Sequence, residues 1–136
     1  MAATFKFELV SPERILLSVD ADEVLMPGAE GDFTVLAGHA PFISTLRPGV
    51  LEVKAQGTTQ RIYVKSGFAD VGQEQATVLA ADAVEVAELS GSRLAATIEA
   101  AETALAEAKD DESRRFANEA LVQLKALGAP AGGKGH

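Results

Sequence analysis

The chain has 136 residues, 47% of them hydrophobic and 24% charged, the size of one ordinary domain or of a compact domain with an appendage, and enough to bury a core. It contains no cysteine, which excludes disulfides, thiolate metal sites and cysteine nucleophiles together and leaves stability to packing. The formal net charge is -8, with 12 acids against 6 bases in residues 1–87 and 8 against 5 in residues 88–128, which excludes the clustered Lys and Arg that phosphate binding needs, so no nucleic-acid partner is expected.

The N-terminal residues MAATFKFELV pass straight into alternating apolar positions, without the charged and apolar regions of a secretory signal or the Arg-rich character of a transit peptide, and predict a cytoplasmic bacterial protein. No apolar run approaches the roughly 18 residues of a membrane helix, so any membrane association is expected through partners. Over residues 4–10, Phe5, Phe7 and Leu9 alternate with Lys6 and Glu8, the period of a half-buried strand. A turn at Ser11-Pro12-Glu13-Arg14 follows, because proline fixes φ and lacks an amide proton. Short strands are then predicted near residues 15–19, 23–26, 33–36, 42–46, 50–55, 59–65, 68–71 and 77–81. They are separated by Pro27-Gly28, Gly38 with Pro41, Pro48-Gly49, Gln56-Gly57, Gly67 and Gly72. Many short strands at this spacing predict two sheets covering each other's apolar faces, so residues 1–86 read as an all-β domain.

After Glu85 the period changes. Leu94, Ile98, Ala101, Leu105 and Ala108 follow helical spacing in an Ala- and Glu-rich segment, with Ser90 or Ser92 as a start cap. The polar run at residues 109–113 breaks the pattern, and Asp110 or Asp111 is the expected N-cap of a second helix that carries Phe116, Ala117, Ala120, Leu121, Leu124 and Leu127 on one side. So short a break predicts an antiparallel hairpin over residues 87–128. Gly128 and Pro130 end the second helix, and residues 129–136 read as a disordered tail. The alanine-rich stripe buries less than a leucine seam would, which suits either a movable arm or a docked hairpin. The fold class is therefore α+β: a β-sandwich followed by a two-helix hairpin.

No catalytic constellation emerges. The histidines are His39 and His136, too few for a metal triad without cysteines, and no serine sits in a G-x-S-x-G elbow. Neither a P-loop nor G-x-G-x-x-G is present. The segment EGDFTVLAGHAP (residues 30–41) places two acids and a histidine in turns flanking one short apolar strand. Its residues equally fit ordinary turns with solvated charges, and an acid/base pair at Asp32 and His39 is the enzymatic alternative.

The order of ELVSPER (residues 8–14), VDADEVLMPG (19–28), EGDFTVLAGHAP (30–41), LRPGVLEV (46–53), YVKSGFADV (63–71) and ATVLAADA (76–83) resembles the epsilon subunit of F-type ATP synthases. The resemblance runs through the β domain and, more loosely, through the hairpin to about residue 127. It implies a ten-stranded β-sandwich that is not itself an enzyme and carries no cofactor. Such a subunit binds the gamma subunit, sits on the ring of c subunits, and couples the proton-driven rotation of that ring to the catalytic head. It would lie at the cytoplasmic face of a bacterial plasma membrane, held there by its partners. The resemblance points to Glu30, Asp32 and His39 as contacts to the c-ring and to Gly67 and Phe68 as part of the gamma contact. In the family the hairpin can also reach the alpha and beta subunits, inhibit ATP hydrolysis and in some members bind ATP. Here residues 89–94 read LSGSRL, so only Leu89 and Arg93 match the nucleotide-binding pattern, with Ser90 in place of its acid and Leu94 in place of its alanine. Thr34 and Ser66 stand where the family commonly has glycine, which is tolerable if neither needs positive φ.

Overall fold

A computed structural model describes residues 3–89 and 91–128. Ten strands come first: β1 (Phe5–Val10), β2 (Ile15–Ala21), β3 (Glu23–Gly28), β4 (Gly31–Val35), β5 (Phe42–Leu46), β6 (Gly49–Ala55), β7 (Thr58–Val64), β8 (Gly67–Val71), β9 (Gln75–Ala80) and β10 (Ala83–Glu85). A 3-10 turn over Val86–Glu88 leads into helices α1 (Gly91–Glu107) and α2 (Asp111–Gly128). The chain divides into two compact units at Glu85 and Val86. The short strand β10 and the 3-10 turn have three residues each, too few for a periodic pattern to reveal them.

The strands form one curled sheet in the order β10-β7-β6-β3-β5-β8-β9-β1-β2, with β4 paired to β3. The fork lies in β3. Its first half pairs with β6 (Glu23 with Lys54, Val24 with Val53), its last residue Gly28 pairs with Leu46 of β5, and β4 runs along the opposite edge from Val35 to Gly31. Pro27, which has no amide proton to donate, sits where one partner strand gives way to the other. Curling lets the two halves of the sheet share one apolar interior. Phe5, Phe7 and Leu9 from β1 meet Val24, Met26, Leu51, Val53, Val64, Val71 and Val78, all at most 4% exposed. Each such large side chain contributes about 1.5–3 kcal/mol by leaving water.

The turns follow their residue types. Gln56 and Gly57 both take positive φ, 53° and 79°, the two-residue connection that matches strand twist between β6 and β7. Thr34 and Ser66 do not take positive φ, so their substitution for glycine carries no backbone strain.

In the second unit α1 packs along α2. Ala101 is buried on α1 between the half-buried Leu94, Ile98, Leu105 and Ala108, while Ala117, Ala120, Leu121 and Leu124 are buried on α2 beside half-buried Phe116 and Leu127. Asp110 is the N-cap of α2: its Oδ1 accepts from the Ser113 amide at 2.7 Å, while Asp111 pairs with Arg114 at 2.9 Å. Ser92 lies inside α1, so it is not the cap. Ser90 and residues 129–136, including His136, fall outside the described residues.

Candidate functional site

Strand direction assigns every connection of the β unit to one of two ends. The turn at Ala29 and Glu30 shares one end with the connections at 11–14, 47–48, 65–66 and 81–82, whereas the loop at 36–41 shares the other with Asp22, 56–57 and 72–74. Hydrogen bonds tie each set together. At the first end Arg47 N donates to Pro27 O at 3.0 Å, Lys65 N to Asp82 O at 3.1 Å and Ala81 N to Ser66 O at 3.2 Å. At the second, Gly38 N donates to Gln73 O at 2.8 Å.

Glu30 and Asp32 therefore share the tip of the β3–β4 hairpin, both exposed, and His39 stands beyond the far end of β4. The structure does not bring the three together, and it gives no support to an acid/base pair of Asp32 and His39. The His39 ring bonds through Nδ1 to the Ala40 carbonyl at 2.7 Å and stands 6.2 Å from the Phe42 ring, which meets Phe33 edge-on at 5.1 Å. The acidic tip is braced by a residue that sequence reasoning passed over. Arg47, on the β5–β6 connection, donates from Nε to Gly28 O at 3.2 Å and pairs through its Nη2 with the Asp32 carboxylate.

Gly67 and Phe68 lie at the same end as Glu30, and they do different things. A Cβ on Gly67 would fall 2.6 Å from the Leu79 carbonyl oxygen, so the glycine permits the close approach of β8 to β9. Phe68 points outward, 42% exposed, and it is not alone. The register sets Thr45 beside Phe68, Phe68 beside Leu79, Leu79 beside Val10 and Val10 beside Ile15, one row across five strands on the solvent side of the sheet. Leu79 is 45% and Ile15 59% exposed. The next row toward the opposite end begins with Ile43 on β5, 64% exposed, and is polar from there on, through Asp70, Thr77, Glu8 and Ser18. The signal was present in the alternation for Leu79 and Val10, which fall out of phase with the core positions, whereas Ile15 is in phase with Leu17, Val19 and Ala21 and joins the row through the register shift between Leu9 and Val10. Only the pairing of β1 with β9 shows that they line up.

In the helical unit Leu89 is buried, and Arg93 is exposed and paired with Glu88 at 3.5 Å. Among the described residues no group of three or more His, Asp or Glu could hold a metal ion, and no helix is long and apolar enough to cross a membrane.

The family model for the ATP synthase delta/epsilon chain, beta-sandwich domain, matches residues 4–86. An ATP synthase epsilon chain of Parvibaculum lavamentivorans is 48% identical over 128 residues, 93% of this chain and 97% of the relative. That of Mesorhizobium japonicum is also 48% identical over 128 residues, covering 93% and 95% of the two chains. Among solved structures, a chain of the Euglena gracilis mitochondrial ATP synthase, from an OSCP/F1/c-ring assembly, superposes with a TM-score of 0.74 at 26% identity over 93% of this chain and 82% of that one. A chain of the Tetrahymena thermophila mitochondrial ATP synthase, from its central stalk and c-ring, gives a TM-score of 0.67 at 11% identity over 94% and 98%, a likeness of fold.

Proposed function

The chain belongs to the ATP synthase delta/epsilon family, and on that premise we propose that its β unit is a non-catalytic coupling part of the rotor, seated between the c-ring and the gamma subunit of a proton-translocating ATP synthase. It acts as a stiff body. A closed sandwich with a close-packed interior deforms little, so rotation applied at one surface reaches the other. The exposed carboxylates of Glu30 and Asp32 at the hairpin tip are proposed to meet the polar loops of the c-ring, where charge complementarity orients docking. His39, at the opposite end, belongs to a different part of the partner surface. Held by these partners, the chain would lie peripherally at the cytoplasmic face of a bacterial plasma membrane.

The observation that carries the reading is the apolar row from Phe68 through Leu79 and Val10 to Ile15. An exposed apolar strip bordered by polar residues marks a protein interface, and we assign it to gamma. Replacing its central aromatic by a charge, Phe68→Asp, is expected to weaken gamma binding by about tenfold or more, the range of an interface anchor. Because Phe68 is outside the core, the variant should keep its thermal midpoint. Co-purification and calorimetry with isolated gamma would test this, and wild-type affinity in Phe68→Asp would count against the assignment.

A further inference from the structure

Resting on the reading of the hairpin tip as the ring contact, we propose that Arg47 is the positioning residue of that contact: it latches the β3–β4 tip to the β5–β6 connection, so that force on Glu30 and Asp32 passes into the sandwich rather than bending the hairpin. The side chain of Arg47 is 26% exposed, and its planar guanidinium spans both limbs of the tip, Gly28 at the end of β3 and Asp32 near the start of β4. The backbone completes the seam, with Arg47 N on Pro27 O at 3.0 Å and Ala29 N on Thr45 O at 2.9 Å. Packing there is tight: a Cβ on Gly49 would fall 2.7 Å from the Cβ of Pro27, and one on Gly28 would fall 2.6 Å from the Gly31 oxygen. Beyond this seam lies only the two-residue turn of Ala29 and Glu30, which closes at Gly31, whose φ of 138° favours glycine, and among the described strands β4 pairs with β3 alone. Sideways force would hinge it there unless a side chain fixed both limbs. Arginine has the forked geometry for this, and lysine, a point charge, does not.

Amide hydrogen exchange of residues 29–33 in the full chain reads the latch directly. Arg47→Gln should speed exchange at the tip by about three- to tenfold, the effect of losing hydrogen bonds from a partly exposed charged group, while the rest of the sandwich is unchanged. Asp32→Asn, which leaves the packing of Arg47 in place, should speed it in the same direction, and Arg47→Lys should restore it only in part. In ATP synthase reassembled with Arg47→Gln, proton translocation per ATP hydrolysed should fall while gamma binding stays at the wild-type level. Unchanged exchange at the tip overturns the latch, and faster exchange with full coupling overturns its positioning role. A Glu30→Ala, Asp32→Ala double variant in the same assay separates the two readings. If that variant also couples fully, the ring-contact reading has failed. If it uncouples while Arg47→Gln does not, only the role of Arg47 is lost.

Discussion

Gly67 has a packing reason to be glycine, whatever it touches in a partner. Its missing Cβ leaves room for the Leu79 carbonyl, so Gly67→Ala must push β8 from β9 and is expected to lower stability by about 1–3 kcal/mol, read from a urea midpoint. Tyr63, 3% exposed, makes a prediction about pH. Burial, with a smaller contribution from the Asp82 charge, raises its phenol from 10.0 to about 12. The folded state thus holds the proton more tightly than the unfolded state. The associated stability is whole below about pH 10 and is lost as pH rises toward 12, a change of about 2–3 kcal/mol that Tyr63→Phe should abolish in alkaline unfolding curves. Of the residues proposed for the site, Glu30, Asp32 and Phe68 could be named from the sequence because they stand in the turn-bounded motifs that carry the family resemblance. Arg47 was not, since its bond to Asp32 spans 15 positions and depends on how β3 forks.

The elements were legible wherever a period ran for five residues or more. Alternation located the longer strands, and the Ala- and Leu-rich spacing located both helices, because burying one face imposes that period on the sequence. What could not be read was direction. His39 and Glu30 look like neighbours around one short strand, yet β4 carries them to opposite ends of the sheet. The cap of α2 was readable only as a choice between two adjacent acids, and the bond from the Ser113 amide selects Asp110. That backbone bond, followed by the Ser113 side chain, holds the Asp110 carboxyl below its ordinary range. Its contribution is therefore present above the ordinary carboxylate pKa and is lost as pH falls through the lowered one. Asp110→Ala should fray the first turn of α2, seen as faster amide exchange at residues 112–115, and should remove that acid dependence.

For the whole molecule, we propose that the β unit couples and that the helical unit is dispensable for coupling. The β unit carries the acidic tip, the latch on it and the apolar row, all at or near one end. Arg93 of the helical unit is engaged with Glu88, and beside Leu89 it is all that matches the nucleotide-binding pattern. The overall architecture was legible because six motif blocks in order carry the turns of a sandwich, whereas the apolar row needed the parallel pairing of β1 with β9, a contact about 70 residues apart in the chain. ATP synthesis by membrane vesicles stripped of this subunit and refilled with a chain truncated after Glu85 tests this division of labour. Synthesis close to that of vesicles refilled with the full chain is the predicted result. Synthesis no higher than in vesicles left without the subunit would contradict it.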